Sequence, residues 1–387
     1  MQKKTILIIS LLAILIVSCK SNKSTNVSNR TLERSFQNEL DSVYHSNLES
    51  IGILLHVEYP KENVSWSGAV GYSNKETQTR IKADQPVLIA SNTKTFVAAT
   101  ILRLVEEEKL TIQSPIGNYL TENTKEMMSN VGYDLKEIKI SHLLSHTSGI
   151  NDYAESPIFK KKLKADPNYR WTRYGQIEIA ILQMDKVGEP GYQYKYSDTN
   201  YLLLTEIIEQ ITGIEFYKAI RQLLDFEKNG INSTWFEGLE SAPNGTLPIS
   251  HQYIEEWDLD TYDINKSFDL YGGGGIASTT NDLSIFIQKI FNGEIFNYPE
   301  TINLLLTKTK TEEPSNTDYR FGIWKYTING KTVYGHGGFW GSMVYYFPDL
   351  NITLSVVILN KDKSYLRKEI AELVMKEIIS NDRNYRK

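Results

Sequence analysis

Strand-like segments lie at both ends of this 387-residue chain, and the part between them is mostly helical. Near the N-terminus, runs at 51–59 and 64–71 are separated by a Pro-Lys-Glu-Asn turn. Four more candidates follow near the C-terminus, at 321–327, 331–335, 342–347 and 352–359. We therefore predict an α/β (α+β) fold, in which the N- and C-terminal segments form one antiparallel sheet flanked by helices, with an inserted, mostly helical region.

The spacing of apolar residues predicts helices at 31–48, before the first strands, and at about 363–379, after the last. The inserted region contains further helical candidates at 95–108, 141–145, 173–184, 200–211, 216–224 and 282–291. Neither an internal repeat nor an interdomain linker interrupts this order. We therefore expect a single folded domain over 31–387.

Composition narrows the class of protein. The net charge of −5 and the lack of a basic stripe argue against a nucleic-acid partner. A hydrophobic content of 41% in a chain of this length is enough for a sizeable core. The chain has one cysteine, which excludes an intrachain disulfide.

That cysteine ends an apolar leader. Two lysines in 1–4 precede the apolar run 5–17, which is short for a membrane span and has the layout of an export signal. The residues Ile-Val-Ser-Cys that end it resemble a bacterial lipobox, in which cleavage precedes the cysteine and a lipid is attached to its sulfur. We expect a lipoprotein signal peptide at 1–18, a lipid on Cys19 and a flexible tether at 19–30. This implies export and anchoring to the cell envelope, at the periplasmic face or the outer membrane. An ordinary signal peptide or an uncleaved anchor is the alternative.

The tetrapeptide Ser91-Asn92-Thr93-Lys94 lies where an apolar run meets a predicted helix. At a spacing of three residues the serine and lysine side chains share one helix face. The hydroxyl is then held beside an amine that can take its proton, as a serine acyl-transfer enzyme requires. The first helical turn and partial burial both favour the neutral amine, which can act as a base.

Two further segments carry groups suited to catalysis. Tyr196 follows a Pro-Gly turn and precedes a predicted helix, so it lies on a loop at a helix start; a buried structural tyrosine is the alternative. The segment 335–342, Gly-His-Gly-Gly-Phe-Trp-Gly-Ser, leads into a strand. Its glycines let a substrate approach the backbone, so that an N–H can point at an oxyanion. A glycine-rich hairpin with a structural histidine is the alternative there.

These three segments, in this order, resemble the serine β-lactamase and penicillin-binding-protein superfamily. The likeness is closest to the branch of class C β-lactamases, DD-peptidases, D-aminopeptidases and related esterases, and it covers nearly everything from about Thr31 to Ile379. Two supporting segments are also similar to family motifs, SHLLSHTSGI at 141–150 and GGGGIASTTNDL at 272–283. The resemblance implies a β-lactamase/transpeptidase-like fold.

The resemblance also implies catalytic roles. Ser91 matches the acylated nucleophile, Lys94 matches its proton-handling partner, and Tyr196 matches the tyrosine that shuttles protons with the lysine. The backbone N–H groups of Ser91 and Phe339 match the family's oxyanion hole.

Two positions depart from the family pattern within the implied substrate-binding set, Asp198, His336, Gly337 and Gly338. Asp198 replaces an asparagine, and an ionised carboxylate only accepts hydrogen bonds. It either holds Lys94 as an ammonium and blunts its basicity or is a tolerated variant. His336 replaces the first lysine of Lys-Thr-Gly, so a positive charge for a substrate carboxylate requires a protonated imidazole. We therefore expect binding of carboxylate-bearing substrates to improve as the pH falls.

The resemblance implies a serine hydrolase that forms an acyl-enzyme and needs no metal or organic cofactor. Its expected substrate is a small molecule or peptide: D-amino-acid peptides or cell-wall stem peptides, as for DD-carboxypeptidases and D-aminopeptidases, or small esters. A β-lactamase is one alternative, and a non-catalytic penicillin-binding sensor or scaffold is an alternative of another class. His142 and His146 have the spacing of metal ligands, but the sequence around them offers no third ligand.

Replacement of Cys19 tests the expected lipid anchor. Without its sulfur no lipid can be attached, so Cys19→Ala should release the protein from the membrane fraction or leave the leader uncleaved. Membrane fractionation and intact mass measure this, and Ser18→Ala, which keeps a small residue before the cysteine, is the matched control. Unchanged fractionation and mass in Cys19→Ala would rule the anchor out.

Overall fold

The computed structural model describes residues 20–381, with side chains from 29 onward. In this part of the chain the central element is a seven-stranded antiparallel sheet. Across the sheet its strands are β3 (Thr79–Arg80), β2 (Val64–Asn74), β1 (Gly52–Tyr59), β12 (Ile352–Ile358), β11 (Ser342–Phe347), β10 (Lys331–Gly337) and β9 (Trp324–Ile328). Two smaller sheets contain β4 (Val87–Leu88), β8 (Ile276–Ser278) and β5 (Thr234–Phe236), and β6 (Tyr253–Ile254) with β7 (Leu259–Asp260).

The two ends of the chain meet at the centre of the large sheet, where β1 pairs with β12 and Leu54 lies opposite Val357. Side chains of β1 alternate between two cores. Ile53 and Leu55 pack with the first and last helices, and Leu54 packs with the inserted helical region. Because both faces of the sheet are covered, its two central strands are buried over almost their whole length and are mostly apolar. The predicted sheet of N- and C-terminal segments is confirmed.

Helices cover both faces of the large sheet. On one face lie α1 (Lys20–Ser46) and α11 (Leu366–Asn381), which also contact each other, and on the other lies α9 (Thr280–Phe291). The remaining helices are α2 (Thr93–Glu106), α3 (Glu122–Asn130), α4 (Ile140–Leu144), α5 (Pro157–Ala165), α6 (Arg173–Leu182), α7 (Asp198–Thr212), α8 (Phe216–Leu223) and α10 (Thr301–Leu305). These eight helices all lie in the inserted region between β3 and β9.

The structure differs from the sequence-based element pattern at several places. Helix α1 begins at Lys20 rather than Thr31, so residues 20–30 are helical where a tether was predicted; these polar residues carry no apolar periodicity that would reveal a helix. Helices α3, α5 and α10 were missed because each is short and buries few side chains. Cys19 lies outside the described residues, and within those residues no helix is both long and apolar enough to cross a bilayer.

Phe36 tests the packing of α1 on the sheet. Its side chain is 0% exposed and lies 5.6 Å, centroid to centroid, from the ring of Trp66 on β2. Phe36→Ala should lower the free energy of unfolding by about 3–5 kcal/mol, because it removes a large buried side chain and leaves a cavity. Denaturant unfolding measures this against Leu48→Ala, which truncates a side chain that is 61% exposed and should change stability by about 0.5 kcal/mol or less. Equal effects of the two variants would show that α1 does not contribute to the core.

Candidate active site

Ser91 lies on a tight turn between β4 and α2. Ile89 donates its backbone N–H to the carbonyl of Ile276 at 2.9 Å, and a single 3-10 turn over Ala90–Asn92 then leads into α2. Ala90 has a φ of 44°, a left-handed conformation that is strained for a residue with a Cβ. The amide of Asn92 donates to the Ile89 carbonyl and to the Ser342 hydroxyl, both at 2.9 Å. The turn that carries the serine is therefore held by bonds to β8 and β11.

Lys94 is the buried charge of the site, with 0% of its side chain exposed. Its Nζ donates to Ser91 Oγ at 2.9 Å and to the carbonyl of Gly273 at 2.6 Å, and it lies 2.6 Å from Asp198 Oδ1. Two of the three donors of an ammonium are used by hydrogen bonds to Ser91 and Gly273, and the contact with Asp198 is an ion pair. The structure thus brings together Ser91, on the turn before α2, and Lys94, in the first turn of α2, as their spacing predicted, and it adds Asp198 from α7.

Tyr196 precedes α7 and closes another side of the site. Lys94 Nζ lies 4.9 Å from the centroid of the Tyr196 ring, and the side chain of Ser91 is close enough to the Tyr196 hydroxyl to affect its pKa. Burial raises the pKa of Tyr196 well above its usual value, and the negative charge of Asp198 raises it further. The phenol therefore keeps its proton in the resting site, where it can donate to or relay a proton from Ser91.

Two backbone N–H groups are available as an oxyanion hole. In the described part of the chain, neither the N–H of Ser91 nor that of Phe339 takes part in a hydrogen bond. Gly338 makes the approach possible, because a Cβ at this position would lie 2.2 Å from the carbonyl oxygen of Ile89. The Ser342 hydroxyl donates to the same carbonyl at 2.9 Å. The end of β10 is thereby held directly against the turn of Ser91.

His336 differs from expectation. Its ring is 2% exposed; Nδ1 contacts the Gly337 carbonyl at 2.8 Å, and Nε2 contacts the Tyr319 hydroxyl at 3.2 Å. Burial, and after it the charge of Lys94, lowers the pKa of His336 to about 3. The expectation that His336 becomes cationic as the pH falls from 7, and then attracts a substrate carboxylate, is therefore wrong. Gly337 lies in β10 opposite Met343.

Three polar groups near Lys94 were not predicted as site residues. Asp152 and Asp269 lie close enough to Asp198 and Lys94 for their charges to interact. Burial, and after it the charge of Asp198, raises the pKa of Asp152 to about 8 and that of Asp269 well above its usual value. His146 packs against Tyr196 in a tilted arrangement, with ring centroids 4.2 Å apart. No local pattern marks the two aspartates, whereas His146 lies in the SHLLSHTSGI segment.

His146 is neutral and serves the local structure. Its Nδ1 faces two donors, the backbone N–H of Ser197 at 3.2 Å and the amide of Asn200 at 3.3 Å, and burial lowers its pKa well below the usual value. His142 accepts from the backbone N–H of Lys139 through Nδ1 at 3.2 Å. Among the described residues no three His, Cys, Asp or Glu side chains are arranged to hold a metal ion.

Residues 50–376 match the protein-family model described as Beta-lactamase, which is well over half of the chain. The chain belongs to this family. The predicted fold and the predicted enzyme class, a serine hydrolase related to the β-lactamases, are confirmed.

Individual relatives are distant. Penicillin-binding protein 4* from Bacillus subtilis (strain 168) is 21% identical over 325 residues, which cover 78% of this chain and 66% of the relative. The teichoic acid D-alanine hydrolase from Staphylococcus aureus is 24% identical over 309 residues, which cover 77% of this chain and 68% of the relative. A solved D-amino acid amidase from Ochrobactrum anthropi SV3, complexed with L-phenylalanine, has a TM-score of 0.75 at 20% identity and covers 90% of this chain and 99% of its own. The match to this chain thus spans about two thirds of the length of these two relatives.

Asp198→Asn tests whether the carboxylate holds Lys94 in its charged form. Loss of the negative charge favours the neutral amine, so the acid limb of the pH–rate profile should move to lower pH by about one unit or more, and deacylation should become faster. The profile of kcat/KM and single-turnover deacylation measure this. Glu155→Gln is the control, since Glu155 pairs with Lys195 at 2.7 Å and has no contact with Lys94. An unmoved profile in Asp198→Asn would exclude the carboxylate from the proton-transfer network.

Proposed function

We propose that this protein hydrolyses esters or amides of D-amino acids through an acyl-enzyme on Ser91. The observation that carries the proposal is the contact of Lys94 Nζ with Ser91 Oγ at 2.9 Å, beside Tyr196 and two unbonded backbone N–H groups. A nucleophile, a proton acceptor and an oxyanion hole are the parts that acyl transfer requires. The names of two relatives, a D-alanine hydrolase and a D-amino acid amidase, support the D-amino-acid part.

The reaction has two steps. Ser91 Oγ attacks the substrate carbonyl carbon and passes its proton to the Lys94–Tyr196 pair, while the N–H groups of Ser91 and Phe339 bind the developing oxyanion. The bond to the leaving alcohol or amine breaks, and the leaving group takes the proton. Water then attacks the acyl-enzyme with the same groups as base and acid, which releases the D-amino acid and restores the Ser91 hydroxyl.

Two features favour D-aminoacyl substrates over β-lactams. His336 is neutral and buried, so β10 offers no cationic side chain at the place where Lys-Thr-Gly enzymes of this superfamily carry a lysine. Asp198 bears a carboxylate where the family usually has an amide, and a carboxylate cannot donate to the carbonyl of an acylated amine. Substrates of the cell wall also agree with the proposed export and lipid anchor at Cys19.

A non-catalytic sensor is the second candidate, and the tight pairing of Lys94 with Asp198 at 2.6 Å favours it. If this ion pair prevents the amine from taking a proton, Ser91 would be acylated slowly and would stay acylated. The two functions therefore differ in the lifetime of the acyl-enzyme, which intact-mass measurement after addition of a penicillin or of a D-alanyl ester determines.

Ser91→Ala tests the proposed nucleophile. The variant should lose covalent labelling by a fluorophosphonate and at least about a thousandfold of its hydrolysis of D-alanine p-nitroanilide, because no other group can form the acyl-enzyme. Its melting temperature should stay close to that of the parent. Ser65→Ala, at an exposed position of β2, is the matched control.

Labelling that persists in Ser91→Ala would move the nucleophile elsewhere. A permanent adduct on Ser91 without any turnover of D-alanyl substrates would favour the sensor over the hydrolase.

A further inference from the structure

A tight turn between β10 and β11 presents the second oxyanion donor. The carbonyl of Gly338 accepts from the backbone N–H of Gly341 at 3.1 Å, and the N–H of Gly338 donates to the Ser342 carbonyl at 2.8 Å. The peptide that joins Gly338 to Phe339 is trans, so its N–H points away from its carbonyl. The direction of the Phe339 N–H is therefore set by the groups that hold the Gly338 carbonyl.

Arg367, in the first turn of α11, binds this turn on the side opposite to the Phe339 N–H. Its Nη1 donates to the Ser342 carbonyl at 2.7 Å and to the Gly338 carbonyl at 3.4 Å, and its Nε donates to the Ser364 carbonyl at 2.8 Å. The bond to Ser342 is the shorter of the two that reach the turn, and the bond to Gly338 reaches the oxyanion peptide itself. One planar guanidinium thus joins the start of α11 to both ends of the turn.

The charge of Arg367 has no acidic partner. In the described part of the chain the guanidinium forms no ion pair, and its acceptors are three backbone carbonyls. The side chain is half-buried, and a cation in the first turn of a helix opposes the helix dipole. A cation partly removed from water without a carboxylate is costly for stability. The charge therefore suits a site where negative charge develops nearby, and in the proposed reaction that charge is the oxyanion.

The guanidinium lies close enough to act on the oxyanion. The oxygen and nitrogen of an amide are about 2.3 Å apart, and a bound oxyanion lies about 2.9 Å from its donor nitrogen. With the 3.4 Å bond from Nη1 to the Gly338 carbonyl, the guanidinium is within about 8.6 Å of the oxyanion. At an effective dielectric constant of about 20, attraction between unit charges at this distance corresponds to roughly 25-fold in rate. The hydrogen bond to the carbonyl also polarises the peptide, which makes its N–H a stronger donor.

We propose that Arg367 is a positioning residue of the oxyanion hole, which orients the Phe339 N–H and adds positive charge behind the peptide that carries it. Arg367 does not touch the substrate. Because it acts when the oxyanion forms, it should raise kcat and leave substrate binding almost unchanged. The role rests on the proposed hydrolase function and adds a further residue to the same site.

Substitutions of Arg367 separate this role from simple stabilisation. Arg367→Met removes the donors and the charge, so it should lower kcat for D-alanine p-nitroanilide by about 10- to 30-fold and leave KM within about twofold. Arg367→Lys keeps the charge without the planar fork and should lower kcat by about fivefold or less. Arg221→Met is the matched control: this half-buried guanidinium instead bonds Glu240 and the Thr234 carbonyl, so its loss should lower the melting temperature but not kcat.

Phenylboronic acid measures the interaction with the oxyanion without turnover. Its boron bonds to Ser91 Oγ and the hydroxyl proton is lost, which leaves a tetrahedral anion with one boron hydroxyl in the oxyanion hole. The inhibition constant should rise in Arg367→Met by about the factor by which kcat falls, whereas that of D-alanine, a planar carboxylate, should stay within about twofold. Values of kcat and of boronate affinity within about threefold of the parent, or losses equal to those of Arg221→Met, would overturn the role.

Two further measurements keep the test decisive. If Arg367→Met does not fold, Arg367→Gln, which has an amide donor but no charge, replaces it with the same expectation. If D-alanine p-nitroanilide is not turned over, the proposed hydrolysis fails, and the rate of Ser91 labelling by a fluorophosphonate decides the role of Arg367, because negative charge develops on the phosphoryl oxygen in the same hole. Labelling about 10- to 30-fold slower in Arg367→Met would support the role, and an equal rate would overturn it.

Discussion

A fully buried ammonium group organises this active site. Lys94 is removed from water and compensated by a hydroxyl, a backbone carbonyl and a carboxylate. Removing one partner of a buried ion pair costs about 3–5 kcal/mol, because the remaining charge is left without compensation. The three partners come from the start of α2, the glycine segment before β8 and the start of α7. The relative position of these segments is therefore tied to the charge state of one side chain.

The contacts of Lys94 affect both the stability of the active site and proton transfer from Ser91. As an ammonium, Lys94 satisfies its neighbours but cannot accept the proton of Ser91; as an amine, it can accept the proton but leaves Asp198 with one fewer cationic partner.

Local patterns in the sequence predicted those structural features that depend on residues close to one another along the chain. Strand-like runs at the two chain ends revealed the sheet, and the spacing of Ser91 and Lys94 revealed their contact, since both follow from regular backbone geometry. Tyr196 and Phe339 were found through the order of family motifs. Helices α3, α5 and α10 were not found, because each buries few side chains and so shows little apolar periodicity.

The remaining features depend on contacts between distant parts of the chain. Asp152 and Asp269 come from distant segments that the hydrogen bond from Tyr153 to the Phe268 carbonyl joins, and nothing in the local sequence predicts that contact. His336 looked like an accessible imidazole beside glycines. It is buried against Tyr319, a residue outside its own motif, and burial decides its charge.

The close contact of Gly338 with Ile89 affects when the active site can be completed during protein synthesis. During synthesis the nucleophile, Lys94 and Tyr196 emerge from the ribosome long before β10. A nascent chain that has reached α9 holds its serine and its lysine but has no second oxyanion donor, and β1 still lacks β12 as a neighbour. The oxyanion hole is therefore incomplete until β10 has been synthesised. Catalytic competence arises late, as one event with the closure of the sheet.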